Sequence, residues 1–291
     1  MKDKDILVSN YHCFCNSDKK PLEIYMFVDP LCSECWALEP IIKKLQLEYG
    51  QFFSLKHVLS SSLTRLNVNS KKMDALAQLW EKTASKTGMP CDGSLWFENS
   101  ITAPYITSIA IKAAELQGRR AGIRFLRKIQ EVLFLEKQNV TNIDVLVKCA
   151  NSINLDTEEF LNDIHSESAA KAFQCDLKIL SEMEVDEFPS LVFFNENIED
   201  EGLKITGFYE YSVYVQILQE MLGAKTKPNP LPPLEIFLKI YKVAPSKEIA
   251  IVYDMTIADV EKKLKKWVLQ QKVKAIHGKH GTYWKYIEKE E

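Results

Sequence analysis

Residues 22–29, LEIYMFVD, form an apolar run rich in Ile, Tyr, Phe and Val that closes at Asp29-Pro30. Such a run predicts a buried strand. Apolar positions then recur with helical spacing at Trp36, Ile41, Ile42, Leu45, Leu47 and Tyr49, and stop at Gly50. Residues 52–60, FFSLKHVLS, predict a second strand. Strand, helix and strand make a βαβ unit, whose strands run parallel. From about residue 71 to 185 the spacing is helical almost throughout. Ile106, Ile109, Ala110, Ala113 and Ala114 share one face, ending near Gly118. Ile123, Leu126, Ile129, Leu133 and Phe134 share another, Val145, Leu146 and Ala150 open a third, and Phe160, Leu161 and Ile164 follow the acidic start DTEE. Acidic residues suit a helix N-terminus, and roughly four to six helices are expected here. Strand patterns return in FPSLVFF, 188–194, and GLKITG, 202–207, joined by an acidic stretch as a hairpin. A helix at about 210–222 follows.

Residues 224–233, AKTKPNPLPP, hold four prolines in ten positions and predict a stiff linker. Beyond it come a helix at 234–242, a short apolar run EIAIVYD, a long helix from Ile257 to about Gln271, and the tail KVKAIHGKHGTYWKYI, which reads as strand, turn and strand. The expected organisation is an N-terminal Cys/His segment at 1–19, an α/β domain at 20–223 with a helical insertion at about 65–185, the linker, and a small α+β domain at 234–291.

Composition narrows the function classes. The chain has 291 residues, 46% hydrophobic and 26% charged, which is enough to bury a sizeable core and excludes collagen, coiled-coil and disordered classes. A formal net charge of −3 does not suit a general binder of polyanions. No run approaches the roughly 18 apolar residues of a membrane span. The segment MKDKDILVSNYHCFCNSDKK lacks the apolar centre of a signal peptide, so the cytoplasm is the expected location and no membrane partner is expected. An odd number of cysteines, seven, argues against a disulfide framework in that compartment.

Cys32-Ser33-Glu34-Cys35 stands at the predicted strand-to-helix junction. A helix N-terminus favours a thiolate, and two thiols at this spacing can close a small disulfide, the thioredoxin-like pattern. Pro40 falls where thioredoxin-like proteins kink this helix. Glu34 supports the other reading, a structural pair, because a nearby carboxylate disfavours a thiolate. Phe188-Pro189 precedes a strand, where a thioredoxin-like fold places a cis proline opposite the cysteine pair. The candidate redox set is therefore Cys32 and Cys35 with cis-Pro189. His12, Cys13 and Cys15 put three soft or borderline ligands in four residues. With Cys32 or Cys35 as a further donor they would make a tetrahedral zinc site, against the alternative of an unstructured leader. Zinc is the only candidate cofactor and none is required. Cys91, Cys149 and Cys175 are isolated and read as structural thiols.

The last sixty residues carry Lys262, Lys263, Lys265, Lys266, Lys272, Lys274, Lys279 and Lys285 on a helix and a Gly-turned hairpin. That order is winged-helix-like, a module that contacts nucleic acid or protein. Arg, which makes the commonest specific base contact, is absent after Pro228, which argues against nucleic acid.

Taken together, LEIYMFVDPLCSECWALEP, the long helical insertion, EFPSLVFF, EDEGLKITG and KHGTYWK resemble the SpxH (YjbH) adaptor family, a DsbA-like branch of the thioredoxin folds. The resemblance covers essentially the whole chain. It implies a cytosolic, non-enzymatic adaptor that binds the transcription regulator Spx and presents it to the ClpXP protease. It also implies metal-sensitive regulation near the Cys- and His-bearing N-terminus. The contrasting reading is a cytosolic thiol-disulfide oxidoreductase using Cys32 and Cys35.

Overall fold

The computed structural model describes residues 20–60, 70–99, 101, 103–197 and 201–288. The first strand, β1 (Leu22–Val28), is followed by α1 (Ser33–Tyr49) and β2 (Phe53–Leu59). The Leu22 amide donates to the Phe52 carbonyl at the starting ends of the two strands, 3.1 Å, and the Ser60 amide to the Val28 carbonyl at their finishing ends, 2.8 Å. Start meets start, so the strands are parallel. β3 (Ser190–Phe194) and β4 (Leu203–Thr206) complete a four-stranded sheet in the order β2-β1-β3-β4, followed by α9 (Tyr211–Met221). β1 is an inner strand, and Met26, Phe27 and Val28 are all buried, as expected where both faces of a sheet are covered. No residue of α1 is exposed, despite its two adjacent lysines. Pro40 lies inside α1, where it removes one helical hydrogen bond.

Seven helices lie between β2 and β3 among the described residues, more than the periodicity predicts. They are α2 (Ser70–Thr87), α3 (Leu95–Glu98), α4 (Tyr105–Leu116), α5 (Arg119–Phe134), α6 (Ile143–Ser152), α7 (Thr157–Ile164) and α8 (Glu167–Glu182). Local sequence sets the breaks between them. Gly118, at φ 123°, lets the chain turn from α4 straight into α5. Asn142, Asp156 and Ser166 each accept a backbone amide in the first turn of α6, α7 and α8. Each such cap stabilises its helix by about 1 kcal/mol and fixes where α6, α7 and α8 begin. Four-residue α3 is too short to show a period.

Gly93, just before α3, is fixed by close approach. A Cβ there would stand 2.3 Å from the Ala77 carbonyl oxygen of α2. Gly93→Ala is expected to destabilise the protein by about 1–3 kcal/mol, read as a lower urea midpoint at unchanged m-value.

The C-terminal module runs α10 (Leu234–Tyr241), β5 (Val243–Pro245), α11 (Ser246–Val252), α12 (Ile257–Leu269), β6 (Val273–Gly278) and β7 (Gly281–Tyr286). Its antiparallel sheet has the order β5-β7-β6, the winged-helix arrangement. The run EIAIVYD, too short to declare a period, is largely helix α11. Phe237, Leu238, Ile249, Val252, Val260, Leu264 and Trp284 form its core. The Trp284 indole donates to the Ser246 hydroxyl at 2.9 Å, so the buried ring leaves no polar atom unpaired. Residues 224–233 contain no helix or strand. None of the described helices is long and apolar enough to cross a membrane.

Contacts divide the chain into two compact units. One gathers Leu38–Lys56 and Leu191–Glu291 with the start of β1; the other gathers Met26–Ala37 and His57–Ser190. In the first unit, Leu47 of α1 belongs to the core of the C-terminal module. Lys43 of α1 pairs with Glu248 of α11, both side chains at most 5% exposed, and its ammonium lies 4.4 Å from the centre of the Tyr241 ring. Lys44 pairs with Asp254.

Candidate functional site

The cysteine pair belongs to the second unit and is shaped first by its own loop. The Asp29 carboxylate accepts the Leu31 amide at 2.9 Å, and the Asp29 carbonyl accepts the Cys32 amide at 3.0 Å. This turn delivers Cys32 to the start of α1, where its carbonyl accepts the Trp36 amide. The Cys32 sulfur in turn accepts the Cys35 amide at 3.2 Å. A free helix-terminal N–H thus points at the leading sulfur, as the sequence spacing implies.

The two thiols have different surroundings. Cys32 is half-buried, whereas Cys35 is fully buried. Burial, then the hydrogen bond with Cys32, pushes the Cys35 thiol well above its ordinary range. Cys35 therefore stays protonated at neutral pH, and Cys32 alone is within reach of a partner. The Cys32 sulfur is 3.9 Å from the Phe188 carbonyl oxygen, and the Phe188-Pro189 bond is cis. Cys32, Cys35 and Pro189 are thus brought together, with a backbone carbonyl beside the accessible sulfur. An extended partner segment can use such an acceptor for main-chain pairing.

The helical insertion holds this end of α1 in place. The Ser33 hydroxyl meets the Thr83 hydroxyl of α2 at 3.1 Å, and Thr83 donates onward to the Leu79 carbonyl. The Trp36 indole donates to the Pro90 carbonyl at 2.9 Å. Its ring stacks on Phe134 at 5.5 Å, and the Arg127 guanidinium lies 4.6 Å from the ring centre. Phe134 also meets Trp80, which meets Trp96. Sequence reasoning did not assign Trp36, Thr83 or Arg127 to the site. Only the position of Trp36, directly after the cysteine pair, signalled a role. Contacts that bridge distant helices leave no local pattern.

The remaining described thiols are not part of this pair, although Cys91 lies near enough to Cys32 to feel its charge. Burial pushes Cys91 up to about 12 and Cys149 up to about 11, while Cys175 is exposed. Because these acids are raised, Cys91 and Cys149 remain neutral thiols, poor nucleophiles, through the whole neutral range. Alkylation of the native protein at pH 7.5, mapped by peptide mass spectrometry, is expected to label Cys32 and Cys175 and to spare Cys35, Cys91 and Cys149. Labelling of Cys35 at the rate of Cys32 would contradict the burial described. His12, Cys13 and Cys15 lie outside the described residues. Among the described residues no three His, Cys, Asp or Glu side chains are grouped to hold a metal.

Comparisons with known proteins agree with this architecture. A family described as Thioredoxin matches residues 25–216. The fold resembles a candidate protein disulfide isomerase from Nitrosomonas europaea, with a TM-score of 0.60 at 19% identity over 70% of this chain and 97% of that one. It also resembles the cytosolic disulfide reductase DsbM from Pseudomonas aeruginosa, with a TM-score of 0.52 at 15% identity over 69% and 95%. At such identities these structures show the fold, a DsbA-like thioredoxin domain. Full-length relatives reach further. The ClpXP adapter protein SpxH of Bacillus subtilis is 54% identical over 95% of this chain and 92% of its own length. Its counterpart in Halalkalibacterium halodurans is 51% identical over 93% and 90%. Such coverage takes in the cysteine pair and the winged-helix module alike, and the chain belongs to the SpxH family of thioredoxin-fold proteins, whose Bacillus members carry the name ClpXP adapter protein.

Proposed function

We propose that this protein is a proteolysis adaptor of the cytoplasm, which binds the transcription regulator Spx and promotes its degradation by ClpXP. The observation that carries this reading is the identity of about half of all residues to named ClpXP adapter proteins along nearly the entire chain. The chemistry supports it. Recruitment needs a surface that holds a substrate segment, and the Phe188 carbonyl beside Cys32 offers one. Tethering raises the local substrate concentration at the protease toward the millimolar range without any covalent step.

Purified Spx and ClpXP, incubated with and without the protein, test this directly. Spx is expected to disappear several-fold faster with the adaptor present. Cys32→Ser and Cys35→Ser proteins are expected to retain most of this acceleration, because recruitment requires no electron flow. An unchanged Spx half-life with the wild-type chain would sink the adaptor reading.

The second reading, a thiol-disulfide oxidoreductase, is favoured by one feature, the accessible Cys32 sulfur hydrogen-bonded by the Cys35 amide. In that chemistry the Cys32 sulfur attacks a partner disulfide and displaces one partner sulfur as a thiol. Cys35 then displaces the other, leaving Cys32–Cys35 oxidised and the partner reduced by two electrons. Insulin reduction at a rate comparable to a thioredoxin control, abolished in Cys32→Ser, would replace the adaptor reading with this one.

Zinc is proposed only with His12, Cys13 and Cys15 as its main donors. Of the cysteine pair, Cys32 fits as the additional donor, since Cys35 is enclosed and strongly favours its protonated form. Elemental analysis of untagged protein from zinc-replete cells is expected to find close to one zinc per chain, lost in a Cys13→Ser/Cys15→Ser protein.

A further inference from the structure

The lysines of the C-terminal module are unevenly balanced. Residues 234–288 hold eleven Lys against six Asp and Glu. Two of those acids pair outside the module, Glu248 with Lys43 and Asp254 with Lys44, and two pair with lysines of the module away from α12, Glu288 with Lys242 and Glu235 with Lys272. Helix α12 is left with a surplus. Val260 and Leu264 face its core, and Ala258, Lys262, Lys265, Lys266 and Leu269 are exposed along the opposite face. Lys265 reaches Glu261 at 3.6 Å; Lys262 and Lys266 have no carboxylate within 4.0 Å among the described residues. Lys262 and Lys266 stand one helical turn apart, the spacing at which like charges repel. At the end of the same face Leu269 is 86% exposed, the largest value among the exposed large hydrophobics of the described residues.

A solvated helix face gains nothing from this combination of repelling cations and a bare leucine. We infer that the outer face of α12 is a docking surface for an acidic protein segment carrying an apolar side chain, with carboxylates at Lys262 and Lys266 and the apolar group over Leu269. Nucleic acid suits the face less well. A winged helix reads bases with the N-terminal part of this helix, and here that part presents Asp259 and Glu261, which repel phosphates. Phosphates also have no use for Leu269. The inference stands on this module alone and does not depend on the adaptor reading.

The test is fluorescence anisotropy of the full chain with three labelled probes: a short peptide of Glu and Leu, its Lys and Leu counterpart, and a random DNA duplex. The acidic peptide is expected to bind, and the other two to bind far more weakly. Lys262→Glu/Lys266→Glu and, separately, Leu269→Ser are each expected to weaken the acidic peptide about tenfold. Their circular-dichroism melts should match wild type, since these side chains face solvent. Absence of binding, or binding that both variants leave intact, overturns the inference. Tighter binding to the duplex with the same lysine dependence makes the face a nucleic-acid interface and also overturns it. So does a loss seen only with the lysine variant, which would reduce the face to a plain polyanion surface.

Discussion

Lys43→Ala is expected to lower stability by about 3–5 kcal/mol, among the largest effects of any single charge removal in this chain. Its partner Glu248 is 0% exposed, and Lys43 itself lies under the Tyr241 ring. Removing the ammonium leaves a carboxylate enclosed without its main counterion, which costs far more than the intact pair contributes. The comparison with the next residue makes the test sharp. Lys44 is equally buried, but its partner Asp254 is 77% exposed and rehydrates freely, so Lys44→Ala should lose at most about 1 kcal/mol in ion-pair energy. The double replacement Lys43→Met/Glu248→Leu should recover most of the loss, since well-packed apolar groups often match a buried pair. Urea denaturation of the four proteins decides the matter. A loss below about 1 kcal/mol for Lys43→Ala would mean that water reaches the pair.

Trp36→Ala is expected to cost a similar amount, about 3–5 kcal/mol, by a different route. The ring is fully buried, stacked on Phe134 and beneath the Arg127 guanidinium, while its N–H satisfies the Pro90 carbonyl. Truncation opens a cavity, strands that carbonyl and deprives Arg127 of its aromatic seat. Trp36→Phe separates these contributions. It keeps much of the packing and loses the indole hydrogen bond, so its cost should fall to about 1–3 kcal/mol. Because Trp36 follows the cysteine pair directly, alkylation of Cys35 should accelerate in Trp36→Ala and change little in Trp36→Phe. Equal losses in both variants would mean that the hydrogen bond, rather than the packing, holds this end of the helix.

The readable parts of the fold were those whose signal is local. An apolar run rich in Ile, Tyr, Phe and Val, closed by Asp-Pro, specified β1, and helical apolar spacing specified most of the insertion. The pairing of Cys32 with Phe188-Pro189 was legible because a known fold ties the two motifs together, though they are far apart in sequence. Three-residue β5 escaped because Val243–Pro245 is too short for alternation and contains a proline. Helix α11 escaped because seven residues hold fewer than two full turns. Lys43 and Lys44 illustrate the deeper limit. Adjacent lysines normally mark a solvated face, and here they are enclosed by residues from the other end of the chain. Trp36, Pro40, Lys43 and Leu47 do fall on one helical stripe, so a spacing signal is present, but lysine is not a residue that such a signal singles out for burial.

The burial of Lys43 against Glu248, 205 residues downstream, also sets a timetable for synthesis. At about 5–20 residues per second, roughly 10–40 s pass on the ribosome between the appearance of Lys43 and that of its partner. Leu47 waits as long for the C-terminal core. Throughout that interval the second half of α1 is an apolar helix without its cover, in a chain whose later helices are already able to form. A nascent chain of this kind is open to chaperones and to wrong partners until almost its last residue is made. Premature termination between residues 50 and 233 would release a product that keeps Cys32 and Cys35 but leaves Lys43 and Leu47 without these partners, a fragment marked for clearance by the surface it fails to close.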